Sequence, residues 1–208
     1  MDTWRVWDLV LPALERRHEV LALTLPEHAG GPPIEGELTD TIVVDEVERA
    51  MDAAGFEIAH IAGNSLGGYL ALQLAARGRA ETVVAFAPAG GWTTGDGSYK
   101  NLLGFQRTLH DMTKVAAPHA EAILATAQGR RRATRLITTS FEHIPVELLV
   151  HQMLGVASCR AAGPMLDHAL GAGEWRLDAE KITCPVRIVW GTQDRLLPWP
   201  EAADRYRH

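Results

Sequence analysis

The chain has few of the features that mark secreted or membrane-spanning proteins. It has 2 cysteines in 208 residues, too few for a disulfide framework, so we expect Cys159 and Cys184 to be free thiols in a reducing compartment. No basic segment followed by an apolar core opens the chain, so no secretory signal is expected. The longest apolar stretches, such as residues 83–89, are too short to cross a bilayer. The sequence therefore predicts a cytoplasmic protein with no membrane partner.

An excess of positive charge is also lacking. The formal net charge is -6, whereas nucleic-acid binding needs a basic surface, so we expect no nucleic-acid partner. Zinc, cysteine-cluster and calcium-loop motifs are not found, so no metal is predicted. The glycine motifs of dinucleotide and nucleotide phosphate sites are missing as well, and we expect no cofactor. A small-molecule substrate is the expected partner, and the oligomeric state stays open.

The sequence does contain alternating strand and helix patterns of a soluble α/β protein. A short apolar run, a stretch of good helix formers and a second apolar run follow one another between residues 58 and 87. Such a βαβ unit favours a mostly parallel sheet with helices on both faces. Strands are predicted over residues 19–25, 58–62, 83–87 and 186–190, and helices over residues 4–17, 39–54, 66–77 and from 200 onward.

Residues 90–177 have a different pattern from the rest of the chain. Strand signals give way to helical ones, including those over residues 115–128, 146–154 and 164–170. A long insertion between two late strands is usually a cap or lid rather than a structureless loop. We therefore predict a core formed by residues 1–89 and 178–208, and a helical cap over 90–177.

Ser65 lies in the motif Gly63-Asn64-Ser65-Leu66-Gly67, between a predicted strand and a predicted helix. A sharp strand-to-helix corner exposes the serine side chain, and small residues on either side are expected to let strand and helix pass closely. The first helical amides, including that of Leu66, can stabilise a developing negative charge. A plain turn or a phosphate-binding loop is the alternative. The flanking strand and helix favour a nucleophile.

These motifs resemble the capped α/β-hydrolase family with a serine nucleophile, over residues 4–207. Residues 60–68 resemble its nucleophile corner, and residues 190–194 resemble the loop that supplies its catalytic acid. Residues 20–30 resemble the family's next strand and its turn of the type D-L-P-G-H-G, in which Thr24 replaces the usual aspartate and Glu27 and Ala29 replace the usual glycines. The resemblance implies an α/β-hydrolase fold and cleavage of an ester, thioester or related acyl bond through an acyl-enzyme.

The resemblance also implies the roles of further residues. It assigns Asp194 as the acid of the triad, with Asp96 as the second choice, and Leu66 as an oxyanion-hole amide. The family's histidine follows the acid along the chain. Only His208 does so here, on a predicted helix, so no base is assigned.

Both ends of the family's enzyme are expected to be missing from this chain. The resemblance places one absent strand between the strands predicted over residues 19–25 and 58–62, and with it the second oxyanion donor. We therefore expect the 208 residues to be marginally stable and catalytically incomplete, because a sheet that loses a central strand leaves backbone groups unpaired.

Two points stay open at this stage. Trp92, after the strand over 83–87, could line an acyl pocket or hinge the cap.

The serine argues against epoxide hydrolase and haloalkane dehalogenase activity, whose relatives use aspartate at this corner. Carbon–carbon bond hydrolysis, haloperoxidase activity and acyl transfer remain possible. A non-catalytic ligand-binding protein or an inactive fragment is the alternative from another class.

Overall fold

The computed structural model describes residues 1–36, 39, 41–92, 97–172 and 175–207. Backbone contacts group the chain into two units. The first comprises Met1–Glu37 and Gly104–Leu166, and the second comprises Leu38–Leu103 and Asp167–His208. The core and cap boundaries at residues 90 and 177 stay a prediction.

The second unit contains a three-stranded parallel sheet. Its strands are β1 (Ala59–Asn64), β2 (Ala80–Phe86) and β3 (Val186–Val189), in the spatial order β1-β2-β3. Asn64 lies opposite Phe86, and Phe86 lies opposite Val189. The three strands therefore end at the same edge of the sheet, which is where open α/β sheets hold their ligands. The predicted α/β class with a parallel sheet is confirmed.

Two helices of the second unit have the ends that the sequence predicts. Helix α2 (Ile42–Ala53) ends before Gly55, whose φ is +81°, and the Phe56 N–H bonds the Met51 carbonyl at 2.9 Å. Helix α3 (Leu66–Ala76) ends in the same way before Gly78. A glycine in the left-handed region stops a helix at little steric cost.

The core of the second unit is formed where α3 packs on β2. Ala71, Leu72 and Ala75 of α3 contact Ala80, Val83 and Ala85 around β2, and all six are buried. Small side chains allow a helix to lie close to a sheet, so this packing fixes the start of α3 relative to the strand ends.

Two predictions for the first unit are wrong. The helix predicted over residues 4–17 is a 3-10 turn at Trp4–Trp7 followed by the single-turn helix α1 (Leu11–Leu14). Residues 19–25 form no strand and pair with no strand in the described part of the chain. A strand exists only when a neighbour accepts and donates its backbone hydrogen bonds, whatever its side chains favour.

The predicted insertion between β2 and β3 is helical, and no strand occurs in its described residues. The helix expected over residues 115–128 is interrupted. A 3-10 turn (Ala117–His119) contains Pro118, and Thr126 is extended and caps the next helix by accepting the Gly129 N–H at 3.0 Å. The α-helices of the insertion are α4 (Ser98–Ala116), α5 (Ala120–Ala125), α6 (Ala127–Thr134), α7 (Val146–Ala157) and α8 (Ala162–Ala172).

Shorter features complete the fold. The helix expected from residue 200 is a 3-10 helix at Glu201–Tyr206. Two further 3-10 turns lie at Phe141–His143 and Ala179–Lys181. Both cysteines are free thiols. None of the helices in the described ranges combines the length and the apolar character needed to span a membrane.

Candidate active site

Ser65 lies at the corner between β1 and α3. Its backbone has φ +53° and ψ -118°, a region that L-residues rarely adopt and that costs about 1–3 kcal/mol. Two hydrogen bonds hold it there: its N–H donates to the Phe86 carbonyl at 2.9 Å, and its carbonyl accepts the Ala89 N–H at 3.0 Å. The segment after β2 therefore holds the corner in a conformation that the chain alone would avoid.

The glycines around Ser65 have different tasks. A Cβ on Gly63 would lie 2.1 Å from the Gly67 carbonyl oxygen, and one on Gly68 would lie 3.1 Å from the Cα of Pro88. A Cβ on Gly67 would meet nothing within 4 Å. The expectation that close passage needs a small residue on both sides of the serine is right for Gly63 and wrong for Gly67. The part of α3 that approaches β1 is the backbone of its first turn, at the Gly67 carbonyl.

The polar groups at the corner are available for chemistry. Ser65 is half-buried, and its hydroxyl enters no hydrogen bond with any described residue. The Leu66 amide begins α3 and likewise has no partner among the described residues. The first amides of a helix lack intrahelical acceptors and carry partial positive charge. A hydroxyl and an unpaired amide are thus adjacent in the chain.

Asp194 is held by the loop that follows β3. Its Oδ1 accepts the N–H groups of Leu196 at 2.9 Å and Leu197 at 2.8 Å, and its own N–H donates to the Gly191 carbonyl at 3.1 Å. The side chain is half-buried. The two amides fix the orientation of the carboxylate, which leaves Oδ2 to interact with another group.

The sheet determines how far apart these two residues are. Ser65 follows β1 and Asp194 follows β3, with β2 between them, so their strands are about 10 Å apart. An imidazole that hydrogen-bonds on both sides bridges a gap of this order. Asp96, the second-choice acid, and His208 lie outside the described residues.

An aromatic cluster lies on the segment after β2. Trp92 is 5% exposed, its ring meets that of Trp175 edge to face with centroids 5.1 Å apart, and it stacks on Tyr99 at 6.4 Å. The Nε1 atoms of both indoles are buried and have no hydrogen-bond partner among the described residues. An unpaired buried donor costs about 1–3 kcal/mol, so two together indicate a place for an acceptor.

Tyr206 is a residue that the sequence analysis missed. Its hydroxyl donates to the Ala89 carbonyl at 2.7 Å, and the Ala89 N–H in turn bonds Ser65. A Cβ on Gly91 would lie 2.7 Å from the Tyr206 ring. Burial raises the pKa of the Tyr206 hydroxyl, which therefore stays a donor. No sequence pattern links Tyr206 to Ala89, because the two are 117 residues apart.

Comparison with known proteins identifies the family of this chain. A profile described as "Alpha/beta hydrolase family" matches residues 1–208. The epoxide hydrolase EphH of Mycobacterium tuberculosis is 52% identical over 56 residues, which are 27% of this chain and 26% of that protein. The chain thus aligns with about a quarter of that curated relative's length.

Solved structures share the fold. A meta-cleavage product hydrolase from Pseudomonas fluorescens superposes with a TM-score of 0.66 at 17% identity, covering 100% of this chain and 74% of that one. The enol-lactonase from Burkholderia xenovorans superposes with a TM-score of 0.61 at 20% identity, covering 99% of this chain and 75% of that one. The parallel sheet, the strand-to-helix corner at Ser65 and the match along the whole chain lead to one conclusion: this protein belongs to the α/β-hydrolase family.

Proposed function

We propose that the protein is a serine hydrolase that cleaves an ester, thioester or related acyl bond of a small molecule. Ser65 is the nucleophile, the Leu66 amide binds the oxyanion, and Asp194 orients and stabilises the catalytic base. The observation that carries this proposal is the strained backbone of Ser65, which places an unbonded hydroxyl beside an unpaired helical amide. Strain of this kind persists only where the surrounding structure enforces it.

The reaction proceeds in two halves. The Ser65 oxygen attacks the carbonyl carbon while its proton passes to the base, and the carbonyl oxygen becomes an oxyanion beside the Leu66 amide. The bond to the leaving group then breaks, and the leaving group takes the proton. Water repeats the sequence on the acyl-enzyme, releasing the acid and restoring the hydroxyl. In the family the base is a histidine, and the Asp194 carboxylate holds it in the tautomer that accepts the proton.

Trp92 is the residue that we propose binds the substrate. It follows β2 at the sheet edge where Ser65 lies, and its unpaired indole N–H can donate to an acceptor oxygen of the substrate, beside that of Trp175. The apolar faces of the same rings suit an acyl or aryl group.

A fluorophosphonate probe tests the nucleophile. We expect one equivalent of covalent label on Ser65, located by peptide mass spectrometry, and none on Ser65→Ala. Asp194→Asn should label more slowly than the unmodified chain, because the base loses its orienting carboxylate. Circular dichroism spectra show whether each variant is folded. If Ser65 stays unlabelled in folded protein, the non-catalytic ligand-binding alternative replaces this proposal.

Epoxide hydrolysis is the second candidate, because the relative with 52% identity is an epoxide hydrolase by name. A serine oxygen that opened an epoxide would form an ether, which water does not cleave under mild conditions, whereas an acyl ester is cleaved readily. Because no base is assigned in the chain, we expect slow release of about one equivalent of p-nitrophenol from an activated acyl ester, as Ser65 is acylated, and no diol from styrene oxide. Diol formation that survives Ser65→Ala would favour the second candidate.

A further inference from the structure

The segment that follows β2 has an irregular backbone beside Ser65. Asn64 lies opposite Phe86, so Ser65 and Ala87 are the first residues after two neighbouring strands. Ala87 is 7% exposed and has a φ of +39°, although it is not a glycine. A positive φ is rare for a residue with a Cβ and persists only where the surrounding structure enforces it. Two strained residues thus lie together at one edge of the sheet.

The hydrogen bonds of Ser65 show what the irregular backbone achieves. In a regular parallel ladder, a residue donates to one carbonyl of the neighbouring strand and accepts the N–H two positions further along. The Ser65 N–H donates to the Phe86 carbonyl at 2.9 Å, so the regular donor to the Ser65 carbonyl would be Pro88. A proline has no N–H to donate. The Ala89 N–H donates to the Ser65 carbonyl instead, at 3.0 Å.

Ala87 is the residue at which the chain leaves the regular path. Its N–H donates to the Val189 carbonyl of β3 at 2.8 Å, so the ladder to β3 is still regular at that atom. The positive φ then turns the backbone, and Ala89 takes the place in the ladder that Pro88 cannot fill. Pro88 is fully buried, and a Cβ on Gly68 would lie 3.1 Å from its Cα. The turn therefore lets the proline pack on α3 while the ladder to Ser65 continues.

The carbonyl that Ala89 binds shares a peptide unit with the Leu66 amide. The Ser65 C=O and the Leu66 N–H belong to one planar trans peptide group and point in opposite directions. A hydrogen bond that fixes this carbonyl therefore also fixes the direction of the amide. The Ser65 carbonyl accepts the Tyr69 N–H as well, at 3.1 Å. Two donors at one oxygen thus hold the Leu66 N–H in a single direction.

We propose that Ala87 is a positioning residue for the reaction at Ser65. Its left-handed backbone brings the Ala89 N–H to the Ser65 carbonyl, and that bond aims the Leu66 amide at the developing oxyanion. This role rests on the proposed function, in which Leu66 binds the oxyanion. A donor that is aimed before the reaction begins stabilises the transition state more than the bound substrate. Loss of the aim should therefore slow acylation and leave substrate binding unchanged.

Ala87→Val in the whole chain tests the proposal, because a β-branched residue rarely adopts a positive φ. Acylation of Ser65 by p-nitrophenyl butyrate is followed as single-turnover release of p-nitrophenol over a range of ester concentrations. We expect the rate constant at saturation to fall about tenfold and the half-saturating concentration to change less than about twofold.

The matched control is Ala80→Val, the same change at a similarly buried residue at the start of β2. Ala80 is 8% exposed and lies in the strand, where extended backbone suits valine. This variant should change both quantities less than about twofold. Ala87→Gly is the conservative variant, since glycine adopts the same φ without steric cost, and it should recover most of the rate lost in Ala87→Val.

Three kinetic results would overturn the proposal. They are an unchanged rate constant in Ala87→Val, an equal loss in Ala80→Val, and a loss confined to the half-saturating concentration. Amide hydrogen exchange of the unmodified chain decides the matter if Ala87→Val does not fold. The Ala89 N–H should exchange slowly because it is bonded to Ser65, and fast exchange there would also overturn the proposal.

Failure of this role is distinguishable from failure of the proposed function. A fluorophosphonate that leaves Ser65 unlabelled in the folded, unmodified chain removes the function and the role of Ala87 with it. Labelled Ser65 together with an unchanged acylation rate in Ala87→Val removes the role of Ala87 alone.

Discussion

At the scale of single residues, the corner at Ser65 depends on one glycine far more than on its neighbour in the same motif. Gly63 approaches the carbonyl of Gly67 so closely that no Cβ fits, whereas Gly67 faces open space. Both glycines belong to the same five-residue pattern, and the pattern cannot distinguish them.

Substituting each glycine with alanine tests this difference. Gly63→Ala should cost about 2–3 kcal/mol, because strand and helix must move apart. Gly67→Ala should stabilise the chain by about 0.5–1 kcal/mol, because alanine is the better residue inside a helix. Urea unfolding midpoints measure both values. Equal destabilisation by the two variants would contradict the packing described for the two glycines.

Trp92 and Trp190 offer a second comparison between similar residues. The indole N–H of Trp190 donates to the Leu197 carbonyl at 2.8 Å, and that of Trp92 has no described partner. Trp190→Phe should therefore cost about 1 kcal/mol more than Trp92→Phe, since it leaves a carbonyl unpaired. Chemical denaturation gives the two free energies of unfolding. A larger cost for Trp92→Phe would mean that its N–H is not a spare donor.

At the scale of elements, the 3-10 helix Glu201–Tyr206 is bonded to the segment after β2. The Arg205 N–H donates to the Gly91 carbonyl at 2.7 Å, and the Tyr206 hydroxyl bonds Ala89 at 2.7 Å. Ala89 in turn bonds Ser65. A short 3-10 helix thus supports the corner at Ser65 through Ala89.

Tyr206→Phe removes one hydroxyl from this arrangement. We expect a loss of about 1 kcal/mol in stability and slower labelling of Ser65 by a fluorophosphonate, because the Ala89 carbonyl is left unpaired. Arg207→Gln, next in the chain and exposed, is the control and should alter neither quantity as much. Unchanged labelling in Tyr206→Phe would show that the contact is structural only.

At the scale of the whole molecule, stability is linked to pH through buried His28. Its Nδ1 donates to the Pro26 carbonyl at 3.0 Å, and it is 5% exposed. Burial, and then the amino terminus, lowers the pKa of His28 to about 4. Unfolding returns the pKa of His28 to its ordinary value of about 6.5. Between about pH 4 and about pH 6.5 the unfolded chain therefore binds one proton more than the folded chain.

The folded state should therefore lose stability as the pH falls from about 6.5 to about 4. The loss attributable to His28 is about 3 kcal/mol, because each pKa unit is worth about 1.4 kcal/mol. Unfolding free energies across this range, compared with those of His28→Asn, isolate the contribution. The control is His18→Asn, which replaces an exposed histidine. A profile of His28→Asn as steep as that of the unmodified chain would refute the assignment.

Much of the fold was predictable where local rules act. The end of α2 at Gly55 follows from glycine placement and a hydrogen bond between near neighbours in the chain. The motif predicted the corner at Ser65, but the hydrogen bonds that hold its backbone come from Phe86 and Ala89, which are remote in the sequence. The helical insertion was also predicted, although its internal breaks at Pro118 and Thr126 were not. The acid position at Asp194 came from resemblance and stays a prediction, as do the roles of Ser65, Leu66 and Trp92.

The sequence by itself determined the βαβ unit and the position of Ser65 between strand and helix, because apolar periodicity and glycine caps act within a few residues. Only the tertiary structure decided that residues 19–25 form no strand, since pairing depends on a partner elsewhere in the chain. It alone also placed Trp175 against Trp92 and Tyr206 on Ala89. Such contacts join residues that are remote in the sequence, so they arise only when packing brings those segments together.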